Sequence, residues 1–112
     1  MTDIETITKE LLAFRDERNW KQFHDSRNLA IAISIEAAEL NELFLWKDGP
    51  ACEEVEKEKI KEELADIFAF SFLLAEKHHF NVRDIVLEKI RKNAEKYPVE
   101  KSIGSIKKYN EL

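Results

Sequence analysis

Glu36 and Glu39 stand three residues apart in IEAAEL, and Glu63 and Asp66 stand three apart in EELADI. On an α-helix such neighbours share one face, with Cβ atoms about 5–6 Å apart. Neither face is a plain solvent face. Glu36 continues an apolar stripe of Leu29, Ile33, Leu40 and Leu43, and Glu63 continues one of Ile60, Ile67, Phe70 and Leu74. Carboxylates set into apolar stripes are costly when buried unpaired. Four of them converging would repel one another and shift their pKa values. A divalent cation removes both penalties, and an all-oxygen donor set suits Mg²⁺ or Mn²⁺ better than zinc. The same spacing also arises on the solvated faces of Glu-rich helices, which is how Glu53, Glu54, Glu56, Glu58 and Glu62 read. Glu42 and Glu62 each lie one turn from a pair member and are candidates for an outer ligand position.

Further along, Lys89, Asn93 and Lys96 recur at i, i+4 and i+7, followed by Tyr97. Two ammonium groups flanking an amide suit phosphate oxygens. An exposed basic face near a helix C-terminus, favoured by the helix dipole, gives the same pattern. Beside a metal site the phosphate reading gains weight, because a nucleoside triphosphate needs both. A third group is aromatic: Phe14, Trp20, Phe23, His24 and Trp46. Such rings can sandwich a planar base, although Phe14 and Phe23 read equally well as core packing. Glu76 and His79 spell E-x-x-H, but a ferritin-like di-iron site needs two such motifs and the chain has one. Neither a glycine-rich phosphate loop nor a G-x-S-x-G elbow is present.

The elements that must position these residues are helices. With 44% hydrophobic and 37% charged residues but only two glycines and two prolines, the 112-residue chain reads as one all-α domain. The first helix spans Asp3 to Glu17, with Ile4, Ile7, Leu11 and Phe14 at helical spacing. An aromatic connector, Asn19 to His24, leads to a second helix capped near Asp25 or Ser26 and reaching about Trp46, where Asp48, Gly49 and Pro50 stop it. The third runs from about Glu53 to Lys77 or His78; its segment LADIFAFSFLLA is apolar nearly all round, which implies burial on more than one side. Asn81 caps the fourth, which ends before Pro98, and residues 98–112 form an irregular basic tail. The expected architecture is a four-helix bundle-like subunit that oligomerises. If the second and third helices are antiparallel neighbours, all four carboxylates meet at one level. A net charge of −5 argues against a nucleic-acid partner. Cys52 is alone, so neither an internal disulfide nor a cysteine-based zinc site forms. The amphipathic, acidic start and the lack of a long apolar run point to a cytoplasmic protein with no membrane association.

The arrangement Glu36-x-x-Glu39, 23 residues, then Glu63-x-x-Asp66 resembles the signature of the all-α nucleoside triphosphate pyrophosphohydrolases, the MazG-like superfamily. It is most similar to the dCTP pyrophosphatase-type members, through FRDERNWKQFHDSRNL, EAAELNELFLWK, EELADI and KNAEKYPVEKSIGSIKKYNEL. The resemblance implies Mg²⁺-dependent hydrolysis of a dNTP to the monophosphate and pyrophosphate, in a house-cleaning role. It implies that Glu36, Glu39, Glu63 and Asp66 hold the metal; as the general base we choose Glu36, although spacing does not separate base from ligand. It also implies that Lys89, Asn93, Lys96 and Tyr97 contact phosphates or sugar, and that Trp20, His24, Asn28 and Trp46 help form the nucleotide pocket. Finally, it implies a homotetramer, a dimer of dimers with shared sites. Close relatives of that type tend to carry His at the position of Leu11 and Tyr at that of Phe70, so weaker base discrimination is expected here. The rival readings are a non-catalytic helical oligomerisation module and a pyrophosphohydrolase acting on another phosphoanhydride such as phosphoribosyl-ATP.

Overall fold

The computed structural model describes residues 1–112, and every regular element in it is a helix or a helical turn. The chain falls into two compact units, Met1–His79 and Phe80–Leu112. The first holds helices α1 (Asp3–Glu17), α2 (Ser26–Glu42) and α3 (Lys57–Lys77). The second holds α4 (Val82–Lys96) and the single turn α5 (Val99–Ser102).

Local chemistry explains where these helices start. Thr2 Oγ1 accepts the Glu5 N–H at 3.1 Å while Glu5 Oε2 accepts the Thr2 N–H at 3.0 Å, a reciprocal capping box on α1. Asp25 Oδ1 accepts the Asn28 N–H at 2.7 Å and caps α2. Asn81 Oδ1 does the same for the Asp84 N–H at 3.0 Å on α4. Each such cap stabilises its helix by about 1 kcal/mol. Between α1 and α2, Asn19 adopts φ 55°, a left-handed conformation that Asn tolerates, and the chain enters a 3₁₀ turn over Lys21–Phe23.

Two boundaries differ from expectation. Helix α2 stops at Glu42 rather than near Trp46, because Leu43, Phe44 and Leu45 bond to carbonyls three residues back. That tighter pattern winds the end into turns. Helix α3 starts at Lys57, not Glu53: Pro50 opens a 3₁₀ segment, Gly49–Glu54, and the extended, buried Val55 separates it from the helix. The stretch after Pro98, expected to be irregular, contains α5 and a 3₁₀ turn at Tyr109–Glu111.

In the first unit, α2 and α3 pack most extensively, and α1 lies against α3. Ser26 Oγ lies 2.9 Å from His78 Nε2, joining the start of α2 to the end of α3. Glu36 meets Glu63 further along, so the two helices run antiparallel. Four apolar residues, Leu29, Val55, Leu73 and Ala75, are buried in the single chain. Ile31 and Ile35 on α2, and Leu64 and Phe68 on α3, are exposed, Phe68 by 54%. The all-round apolar stretch of α3 is thus only partly covered within one chain. No helix is long and apolar enough to cross a membrane.

Candidate metal centre

Antiparallel packing brings three of the four expected carboxylates, Glu36, Glu39 and Glu63, together. One carboxylate oxygen each from Glu36, Glu39 and Glu63 lies within 4.8 Å of the others. Glu36 and Glu63 are half-buried and Glu39 is exposed. Asp66, one turn beyond Glu63, is exposed, and its charge acts on both Glu36 and Glu63. Glu36 Oε2 and Glu63 Oε2 are buried with no hydrogen-bond partner. Buried polar atoms in folded proteins nearly always have one, so two orphaned oxygens side by side call for a ligand.

The electrostatics agree. Burial, then the touching Glu39 and Glu63 carboxylates and the Asp66 charge, push Glu36 from 4.5 up to about 7. Burial also raises Glu63; the neighbouring Glu39 and Asp66 add to that rise, while the contact with Glu36 pulls it back. Without a cation, Glu36 therefore keeps its proton well above the usual carboxylate range. Hard oxygen donors, mutual repulsion and orphaned acceptors together fit a divalent cation. Glu42 and Glu62 are exposed, as are the glutamates read as solvated between Glu53 and Glu58.

A profile of the MazG-like family matches residues 31–112, which include both acidic pairs. The chain belongs to the MazG-like family. Among similar proteins, dCTP pyrophosphatase 1 of Rattus norvegicus is 39% identical over 114 residues, spanning 97% of this chain and 67% of the relative. The Bos taurus protein of the same name is 40% identical with 97% and 68% coverage, and the Homo sapiens one 36% identical with 97% and 67%. A crystal structure of a pyrophosphatase from Archaeoglobus fulgidus superposes with a TM-score of 0.82 at 35% identity, covering 88% of this chain and 94% of the other.

The aromatic residues of this MazG-like chain are placed unevenly. Trp20 packs edge-to-face on Phe14 with ring centroids 5.7 Å apart, and the Arg18 guanidinium lies 3.6 Å from the Phe14 centroid. Asn28 Nδ2 donates to the Phe23 carbonyl at 3.0 Å, which ties the connector to α2. His24 lies at the base of that connector with Nδ1 buried and unpartnered; burial, then the nearby Arg15 charge, hold its pKa below the ordinary value. Trp46 is 93% exposed and has φ 62°, a left-handed conformation that a bulky side chain rarely adopts.

In the second unit, α4 carries Lys89, Asn93 and Lys96, all exposed, and Tyr97 is its C-terminal cap residue. Tyr97 packs edge-to-face on Tyr109 at 6.1 Å, and Lys96 Nζ lies 5.0 Å from the centre of the Tyr109 ring. The tail thereby folds back on the end of α4. Arg15, Lys21 and Lys77, which surround His24 with Glu76 and His79, were not legible as a group in the sequence. They come from three separate segments and share no spacing.

Proposed function

We propose that this protein hydrolyses deoxynucleoside triphosphates to the monophosphate and pyrophosphate, using Mg²⁺ held by Glu36, Glu39, Glu63 and Asp66. The observation that carries this reading is the carboxylate cluster, with oxygens of three glutamates within 4.8 Å and two buried oxygens unpartnered. Membership of the MazG-like family and similarity to dCTP pyrophosphatases supply the reaction class. The chain is a nucleoside triphosphate pyrophosphohydrolase.

When bound, the cation polarises phosphoryl oxygens and neutralises developing charge. Glu39, Glu63 and Asp66, together with Glu36, would hold it through their carboxylate oxygens. Glu36, raised to about 7 in the metal-free protein, is our choice for the group that accepts a proton from the attacking water. The water oxygen bonds to the α-phosphorus as the bond to the bridging oxygen of pyrophosphate breaks. Lys89 and Lys96 stabilise the departing charge, with Asn93 and Tyr97 contacting phosphate or sugar. Trp20, His24, Asn28 and Trp46 border the base. Hydrolysis in ¹⁸O-labelled water tests the reading: the label enters the monophosphate, and pyrophosphate leaves unlabelled. Inorganic phosphate and a nucleoside diphosphate as products would mean attack at the γ-phosphorus and overturn it.

Base selectivity is expected to be modest. Leu11 and Phe70 are apolar and half-buried, so neither offers a hydrogen bond to a base edge. With dCTP, dATP, dTTP and dGTP compared, dCTP ranks among the better substrates with less than roughly 10⁴-fold preference, the range reached by sites that read polar groups directly.

The active form is an oligomer, a tetramer built as a dimer of dimers. The support is exposed apolar surface on every long helix, including Ile7, Ile35, Phe68 and Ile90. Sedimentation at micromolar concentration gives at least a dimer mass; a stable monomer would sink the oligomeric reading.

A further inference from the structure

A cavity of about 230 Å³ lies among α1, the 3₁₀ turn, the start of α2 and the end of α3. Its apolar floor is Leu29 and Leu73, two of the buried core residues. Its polar wall carries Arg15, Lys21, His24, Lys77 and His79, with Glu76 the only carboxylate. Leu29 precedes Glu36 by seven residues on α2, which at 1.5 Å per residue puts the cavity roughly 10 Å along the helix from the acidic cluster.

Three observations point to an anionic ligand. First, the half-buried His24 lines the cavity with an imidazole whose Nδ1 has no protein hydrogen-bond partner. Second, the Arg15 side chain is only 12% exposed, and its ion pair uses Nε, which donates to Asp16 Oδ1 at 2.8 Å. The two terminal nitrogens of that guanidinium keep their donors unpaired, in the fork geometry that matches an oxyanion. Third, Arg15, Lys21 and Lys77 place three positive charges around the cavity, against Glu76 in its wall and Asp16 paired to Arg15 at the exposed side. Burial and the Arg15 charge disfavour protonation of His24, a repulsion that a bound anion would relieve. A metal ion fits poorly, since three cationic side chains line the wall and His24, Glu76 and His79 do not bring their ligand atoms together as the acidic cluster does.

We propose that this cavity binds a tetrahedral oxyanion of the phosphate class, with Arg15 as its clamp, Lys21 and Lys77 as flanking charges and the His24 imidazole in the wall beside it. The volume accommodates such an ion with bound water. The cavity stands apart from the carboxylate cluster and needs no metal, and His24 is the one residue it shares with the proposed nucleotide pocket. Its occupant is either free phosphate or pyrophosphate, or the phosphate tail of a nucleotide held at the acidic cluster; the chemistry is the same.

The test uses the full chain in divalent-free buffer at constant ionic strength, with inorganic phosphate as the probe. His24 imidazole resonances and the thermal midpoint are followed through the titration. A saturable change in both is expected. Arg15→Gln weakens the apparent affinity by roughly tenfold or more, as loss of a charge-assisted contact does. Lys21→Gln and Lys77→Gln, at exposed or wall positions less tied to folding, weaken it several-fold, and Glu76→Gln tightens it. No saturable change at His24, or equal affinity in wild type, Lys21→Gln and Lys77→Gln, would overturn the proposal. A second arm adds Mg²⁺ and a non-hydrolysable dNTP. Competition with phosphate assigns the cavity to the nucleotide's own tail, and simultaneous binding assigns it to the free ion. Because the first arm needs neither metal nor turnover, its failure is distinguishable from failure of the pyrophosphohydrolase reading.

Discussion

Glu39→Gln and Asp66→Asn will each lower the rate of pyrophosphate release by about a thousandfold or more at limiting Mg²⁺, while leaving the chain folded. Charge neutralisation by a bound cation is worth several kcal/mol of transition-state stabilisation, and about 4 kcal/mol corresponds to a thousandfold in rate. Neither side chain is needed for the core: both are exposed, whereas the buried residues are Leu29, Val55, Leu73 and Ala75. Both replacements remove one negative charge from a cluster in which Glu39 and Asp66 raise the pKa values of Glu36 and Glu63. Melting in chelator should therefore show equal or greater stability than wild type. High Mg²⁺ should recover part of the lost rate if weakened cation binding is the cause. A variant with a near-wild-type rate at limiting Mg²⁺ would remove that residue from the metal centre.

The second large effect links pH, metal and stability. In the folded, metal-free protein Glu36 titrates at about 7, against 4.5 for a free glutamate. Between those values the folded state holds a proton that the unfolded state has released. The contribution of Glu36 is thus fully present below pH 4.5, declines as pH rises, and is gone above about 7. Glu63, also raised, acts in the same direction. His24 acts oppositely: its folded pKa is lowered, so its contribution is lost as pH falls below the ordinary 6.5. Comparing wild type with Glu36→Gln in chelator separates the two. Wild type loses stability relative to the variant as pH is raised from 5 to 8. If Glu36 is a ligand, as proposed, added Mg²⁺ displaces its proton, and the stabilising effect is expected to be small at pH 5 and to grow toward pH 8. A Mg²⁺-induced gain in the thermal midpoint that is flat with pH would show that cation and proton do not compete.

The carboxylates were legible in the sequence because helical periodicity alone puts residues three apart on one face, and the apolar stripes marked those faces as inward. The meeting of Glu36, Glu39 and Glu63 required only that consecutive helices be antiparallel. Caps at Asp25 and Asn81 were legible for the same local reason, since each side chain reaches a backbone N–H three residues on. The end of α2 and the start of α3 were not. Both depend on competition between α and 3₁₀ bonding over residues 43–55, where no breaker other than Gly49 and Pro50 marks the choice. The cavity around His24 was invisible for a different reason: Arg15, His24 and Lys77 are brought together only by the packing of α1 and α3.

Trp46 gives the protein an optical reporter. The chain has two tryptophans, and they differ sharply in surroundings: Trp20 is packed against Phe14, whereas Trp46 is 93% exposed on a left-handed turn. An indole in water emits at long wavelength and is accessible to collisional quenchers such as acrylamide, and one that becomes covered shifts to the blue and is protected. Emission from a Trp20→Phe variant would then follow a single fluorophore at the tip of the α2–α3 connection. Nucleotide or subunit contacts at that tip could be titrated directly, without a label and without turnover.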